Sequence, residues 1–268
     1  MKFSIKHKTT KKPIITIEYK KGENKWLLAI KTAINLKISL RYADMRYADM
    51  SGANMSYADM SGANMSGADM SYANMSGANM RYANMSGANM SGANMRYADM
   101  SGADMSGANM SGANMSGANM SGANMSYANM SGANMSYADM SGADMSYANM
   151  SGANMSGANM SGANMRYADM SGADMSYANM SGANMSGANM SGANMSYADM
   201  SGANMDFSSG FSFKCSSFNV KIDLKLASQL AYHFCRMNCE EKEFLEAKKS
   251  LTNLANKFHR AKECGEIK

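Results

Sequence analysis

Between residues 41 and 205, apolar and polar positions recur every five residues through 33 unbroken units. Each unit reads Ser or Arg, Gly or Tyr, Ala, Asn or Asp, Met, and the Ala and Met never vary. The first position is Ser 28 times and Arg five times (Arg41, Arg46, Arg81, Arg96, Arg166). The second is Gly 21 times and Tyr 12 times; the fourth is Asn 22 times and Asp 11 times. A period of five matches neither the 3.6 of a helix nor the 2.0 of a plain strand. It suits a very short strand, with Ala and Met inward on either side of an outward Asn or Asp. The Ser-Gly or Arg-Tyr pair then turns the corner, where Gly is the conformationally suited residue. One unit alone buries nothing, whereas stacked coils do, which is the logic of a solenoid.

The flanks carry different periods. Residues 2–8 (KFSIKHK) and 14–19 (IITIEY) read as two strands joined through Pro13. Residues 23–34 read as an amphipathic helix with Trp26, Leu27, Ile30 and Ala33 on one face. Residues 38–40 (ISL) form a degenerate first unit, with Ile38 in the Ala place and Leu40 in the Met place. After Met205 the register slips, and Phe213 and Phe218 are read as central residues of a last irregular coil. Asp223 is placed to cap a helix running to about Met237, with Leu226, Ala227, Leu230, Ala231 and Phe234 apolar. Asn238 with Glu241 has the form of a capping box for a second helix ending near Gly265. Its apolar residues Phe244, Leu251, Leu254, Phe258 and Ala261 recur at helical steps.

The repeat unit resembles the pentapeptide-repeat pattern Ala-Asp/Asn-Leu-x-x, with Met in place of the central Leu throughout. The resemblance implies a mainly β fold, a right-handed quadrilateral parallel β-helix with four units per coil. Ala and Met would point inward and the other three positions outward. At that count the units make just over eight coils, a rod about 40 Å long at about 4.8 Å per coil. Replacing Leu by Met nearly conserves volume, but gives a softer and more oxidisable core. Both rod ends expose unpaired backbone and need covering. The expected organisation is a strand–helix cap over 1–37, the β-helix over 38–220 and a helical cap or dimerisation element over 221–268. The termini resemble those of phage-encoded members of the family.

Composition sets limits on the class and compartment. At 46% apolar and 18% charged residues, the chain is too apolar and too weakly charged for intrinsic disorder. The N-terminus lacks the apolar stretch of a signal peptide, and no run approaches the roughly 18 apolar residues of a membrane span. The cysteines Cys215, Cys235, Cys239 and Cys264 all lie late in the chain and form no disulfide framework. Most repeat Asn residues precede Met-Ser and form glycosylation sequons, which would coat a secreted eukaryotic rod in glycan. A cytoplasmic location with reduced thiols is expected, in the host cytoplasm if the chain is phage-encoded. The net charge of +5 is uneven: residues 1–40 carry +8, residues 41–205 carry −6 and residues 206–268 carry +3. The basic head suits an acidic partner or nucleic acid, or is a solvated lysine-rich edge that blocks aggregation. No aromatic platform accompanies its lysines, which favours the solvated edge.

Candidate chemistry is sparse. Asp49 and Asp69 fall one coil apart on one face, a pair that could raise a pKa or hold a cation. The other Asp residues mostly avoid adjacent coils and read as surface variation. The repeats hold no His, Cys or Lys, so no nucleophile–base pair is evident. Five Tyr share one face (Tyr57, Tyr97, Tyr137, Tyr177, Tyr197), and Tyr47, Tyr127, Tyr147 and Tyr167 share the opposite one. Tyr127, Tyr147 and Tyr167 occupy consecutive coils and should stack. Together with Tyr177 and Tyr197 they are the candidate interaction surface, unless the ladder only stacks on itself. In the tail, His233, Cys235, Cys239, His259 and Cys264 lack the spacing of common zinc sites and read as ordinary thiols and helix-face histidines. No metal or cofactor is expected.

The leading functional reading is a non-enzymatic rigid rod with a protein partner that the sequence does not identify; nucleic acid and membrane are not expected as partners. The Phe244, Leu251, Leu254 and Phe258 stripe covers the rod end or joins two copies in a tail-to-tail homodimer. The alternative is a DNA mimic acting on DNA gyrase or another DNA-binding protein, as implied by resemblance to family members linked to quinolone resistance.

Overall fold

The computed structural model describes residues 1–209, 222–235 and 242–257. Two strands, β1 (Lys2–His7) and β2 (Pro13–Glu18), form an antiparallel hairpin, followed by α1 (Lys25–Asn35). The first repeat strand, β3 (Ala43–Asp44), pairs antiparallel with β1, giving the order β2-β1-β3. The repeats then continue as single-residue parallel bridges, each fourth-position residue pairing with the one 20 residues on, from Asp44↔Asn64 to Asn189↔Ser209. An offset of 20 residues means four five-residue units per coil, so each coil has four sides.

The ladder is uniform. The N–H of Met45 donates to the Asn64 carbonyl (2.7 Å), and the N–H of Asn64 donates to the Ala43 carbonyl (2.8 Å). Corners close on a third bond, in which the Ala48 N–H donates to the Met45 carbonyl (3.2 Å). The second residue of each corner lies at positive φ, for example 56° at Tyr47 and 65° at Gly52, as a type II turn requires at that place. Every repeat Ala and Met is buried, in a core that runs from Ile5 through the whole rod to Leu226.

The observed α1 matches the expected helix within its ends. Ala29, Ile30 and Ala33 are its buried residues, with Trp26 and Leu27 partly buried against the core. It ends in a Schellman motif: the Lys37 N–H donates to the Ile34 carbonyl (3.0 Å) and the Ile38 N–H to the Ala33 carbonyl (2.8 Å). Lys37, at φ 56°, is also the corner residue of a unit that starts at Leu36, so helix and rod share one left-handed residue. Leu40 is buried in the Met place, while Ile38 is only partly buried.

The structure corrects one reading beyond the regular repeats. The register does not slip at Met205: Phe207 takes the corner place at φ 59°, Ser208 donates its N–H to the Met205 carbonyl, and Ser209 pairs with Asn189. The backbone pattern continues because it needs only a left-handed corner and a ladder partner, not the Ala and Met side chains. The helix α3 is described over Lys242–Ala255, and its expected end near Gly265 lies outside the described residues. Beyond Ala255 the Asn256 N–H still donates to the Thr252 carbonyl (3.0 Å), and the Lys257 N–H donates to the Leu254 carbonyl (3.1 Å). The preceding helix, α2 (Leu224–Cys235), begins next to Asp223 as expected. Phe213, Phe218, Asn238, Glu241 and Phe258 lie outside the described residues, as does the side chain of Phe244.

Candidate interaction surface

The 12 repeat Tyr residues occupy corner positions where an L residue is strained by about 1 kcal/mol or more. The corner throws each ring outward and toward the following coil. Where that coil has Gly, the ring lies over it: a Cβ at Gly77 would meet the Tyr57 ring at 2.6 Å, and one at Gly117 would meet the Tyr97 ring at 2.6 Å. Where the following coil has Tyr, the rings stack. Tyr127 and Tyr147 are 4.9 Å apart at 2°, Tyr147 and Tyr167 are 5.1 Å apart at 21°, and Tyr177 and Tyr197 are 4.8 Å apart at 5°. The first ladder was legible from spacing by 20; the Tyr177–Tyr197 stack follows the same rule. These rings remain about half to two-thirds exposed, so each ladder presents ring edges and hydroxyls to solvent.

Arginine joins this surface at four corners. The guanidinium of Arg96 lies 5.3 Å from the Tyr97 ring centre and that of Arg166 5.6 Å from Tyr167, with similar contacts at Arg41–Tyr42 and Arg81–Tyr82. Arg81 also reaches Asp99 at 3.8 Å, and Arg41 reaches Asp59 at 3.8 Å. Arg46 grips Asp44 through two bonds (2.8 and 2.9 Å), and this holds the Asp44 carboxyl below the usual carboxylate range. Four Arg balance four Asp over residues 41–96, whereas residues 97–205 hold seven Asp and one Arg. The acidic part of the rod is therefore the part that bears both stacked ladders.

The fourth-position residues form a polar ladder whose direction explains the placement of Asp. The Oδ1 of each Asn or Asp accepts from the N–H two residues on, as Ser76 N–H to Asn74 (3.1 Å). Many Asn residues also donate their Nδ2 to the Oδ1 one coil earlier, as Asn94 to Asn74 (3.3 Å) and Asn159 to Asp139 (3.1 Å). An Asp therefore fits under an Asn, which supplies a donor, but not under another Asp. The pair Asp49 and Asp69 breaks this rule, and there Asn24 supplies the missing donor: its Nδ2 reaches the Asp49 Oδ2 at 2.9 Å. Nothing in the sequence periodicity pointed to Asn24, because it lies outside the repeats.

The tail residues divide. Leu251 and Leu254 pack within the chain against Ala231, Tyr232, Cys235 and Ala255. Leu226 joins the rod core and Gln229 donates to the Met205 carbonyl (3.3 Å), so α2 lies on the last coils. Cys235 is buried, and burial pushes its thiol up, the opposite of an activated nucleophile. Cys239, His259 and Cys264 lie outside the described residues. Among the described residues no group of three or more His, Cys, Asp or Glu side chains is placed to hold a metal ion, and no helix is long and apolar enough to cross a membrane.

Comparison with known proteins agrees with the geometry. The sequence model of the family of pentapeptide repeats matches in eight copies, over residues 38–71, 73–112, 113–152, 138–176 and 168–206. No curated protein sequence matches the chain. Among solved structures, a trypsin-treated form of QnrB1, a plasmid-mediated fluoroquinolone resistance protein, aligns at 19% identity and TM-score 0.53. That alignment covers 69% of this chain and 94% of QnrB1. HetL, involved in heterocyst differentiation regulation in the cyanobacterium Nostoc sp. strain PCC 7120, aligns at 23% identity and TM-score 0.36. It covers 74% of this chain and 94% of HetL.

Proposed function

The chain belongs to the pentapeptide-repeat family, whose members fold as right-handed quadrilateral β-helices, and we propose that it is a non-enzymatic, cytoplasmic rod that binds a protein partner through its tyrosine ladders. The observation that carries this reading is the coincidence of Tyr127, Tyr147, Tyr167, Tyr177 and Tyr197, stacked and exposed, with the acidic span of residues 97–205. Tyr is enriched at protein interfaces because a rigid ring offers much contact area at little entropic cost. An acidic aromatic face selects a basic surface, and Arg166 over Tyr167 shows how such a face receives a guanidinium. In this reading residues 1–37 and 221–268 are end caps. The tail also has the elements for a homodimer through Phe244, Leu251, Leu254 and Phe258, although Leu251 and Leu254 already pack on α2.

Affinity capture from the native host with wild type and with a Tyr147→Ser, Tyr197→Ser variant tests the ladders. A protein retained by wild type and lost with a folded variant supports them; equal recovery overturns them. Light scattering across micromolar concentrations tests the dimer, and a monomeric mass throughout removes it. The second reading, a DNA mimic, draws on the likeness of fold to QnrB1 and on the acidic span. Six net negative charges over about 26 Å fall well short of duplex DNA at roughly one charge per 1.7 Å. A supercoiling assay with purified gyrase separates the two: inhibition or protection favours the mimic, and no effect leaves the protein-binding rod.

A further inference from the structure

At the N-terminal end of the rod, three of the four sides have at least one first-coil ladder group taken up by the cap. On the first side β1 pairs with β3. On the second, the Asp49 carbonyl accepts from the Asn24 side chain (3.2 Å). On the fourth, the Asp59 carbonyl accepts from the Leu40 N–H (2.8 Å). The third side, residues 51–55, is different. In every later coil the fourth-position N–H and carbonyl both pair with the coil before, as Asn74 pairs with Ala53 (2.9 Å) and Met55 (2.7 Å). Among the described residues nothing takes up the N–H or the carbonyl of Asn54. Above this edge, α1 stands off and leaves a cleft of about 320 Å³, walled by Leu27, Ile30 and Ile34 and floored by Ala53 and Asn54.

We propose that this cleft is a docking site for an extended acidic peptide with alternating apolar residues. One peptide carbonyl accepts from the Asn54 N–H, and the peptide N–H two residues on donates to the Asn54 carbonyl. Ala43 and Met45 make the same pair of bonds around Asn64. Alternate side chains then face Leu27, Ile30 and Ile34, as in strand addition to a sheet edge. Charge decides the peptide's chemistry. Lys31 is the charged side chain lining the cleft, and it belongs to a head of ten Lys and two Glu. The nearest rod carboxylates are already engaged, Asp49 by Asn24 and Asp59 by Ser39 and Arg41. This site is separate from the tyrosine ladders and does not rest on them.

The test uses the full chain and a fluorescein-labelled, end-blocked peptide, Glu-Val-Glu-Val-Glu-Val, followed by anisotropy at low salt. Saturable binding is expected, together with slower hydrogen exchange at the Asn54 amide. Blocking the peptide's backbone donors by N-methylation, or introducing Lys31→Glu at an exposed position, should each weaken binding about tenfold, the worth of one to two hydrogen bonds or a charge reversal. The Lys-Val analogue should not bind. Equal binding of the N-methylated or Lys-Val peptide overturns the proposal. So does an Asn54 amide whose exchange does not change, or no binding at millimolar peptide.

Discussion

At the corner of each unit, one residue must hold a left-handed backbone, and the chain alternates between meeting that demand with Gly and with Tyr. Gly77 and Gly87 have nearly the same φ, 64° and 62°, yet a Cβ at Gly77 meets the Tyr57 ring while one at Gly87 meets nothing within 4 Å. Gly87→Ala should therefore cost only the left-handed strain, about 1 kcal/mol. Gly77→Ala should cost about 1 kcal/mol more, because the ring must swing off its shelf. Adding Tyr57→Gly should erase the difference; equal losses in chemical denaturation would remove the ring as the cause. Asp44 supplies a second residue-scale outcome. Its carboxyl titrates lower in the folded protein, chiefly through the hydrogen bonds from Arg46. That stabilisation is complete above the unfolded carboxylate range, about pH 4, and is lost as pH falls through the lower folded value. Asp44→Asn should flatten this acid limb of a stability–pH curve and leave the neutral-to-basic limb unchanged in shape.

Helices meet the rod through residues that do two jobs. The Asn24 Oδ1 accepts from the N–H groups of Trp26 (2.9 Å) and Leu27 (3.2 Å), capping α1, while its Nδ2 donates to Asp49. At the other end the Asp223 Oδ1 accepts from the Leu226 N–H (2.9 Å), and its Oδ2 accepts from the Gly202 N–H (2.8 Å). The choice between amide and carboxylate follows from what the rod offers: a carboxylate at the first coil, a backbone donor at the last. Asn24→Asp keeps an equally good cap but sets a carboxylate against Asp49. A loss of about 1–2 kcal/mol is expected, with part of it recovered on acidification as the carboxylates protonate. If calorimetry shows the substitution to be neutral at pH 7, the side chain serves as a cap alone.

The whole molecule is a tube of thioethers inside a hydrogen-bonded wall. Met125 is fully buried, and Lys there would leave an unpaired charge without solvent, so Met125→Lys should unfold or aggregate the protein. The neighbouring Asn124 points outward but donates to Asp104 (3.3 Å) and accepts from Ser126 (2.7 and 3.1 Å). Asn124→Lys should leave a folded rod weakened by about 1–2 kcal/mol, visible as a lower melting temperature with an unchanged circular dichroism spectrum. Comparable damage from both would reverse the inward–outward assignment. The axial charge pattern is also a property of the whole: a basic head, a neutral first third of the rod, then the acidic span with the stacked rings.

The period of five with invariant Ala and Met marked the inward residues, and the resemblance of that unit to a known family supplied the four-unit coil and with it the stacking of Tyr127, Tyr147 and Tyr167. The ladder pairing at an offset of 20 residues agrees with that coil. The cap of α2 at Asp223 was also legible, because capping is local chemistry. The Gly shelf beneath each lone Tyr and the donor rule that places Asp under Asn lie in the same periodic text. They become visible only when the direction of lean and the direction of donation are known, and those come from backbone geometry. Continuation of the register through Ser209 escaped the sequence reading because the ladder is made by backbone groups, which any side chain can carry. Asn24 meeting Asp49, Lys37 serving both helix and rod, and the open Asn54 edge were decided by tertiary structure alone. Each depends on where a non-repeating segment lands on a repeating one, and no period in the sequence records that contact.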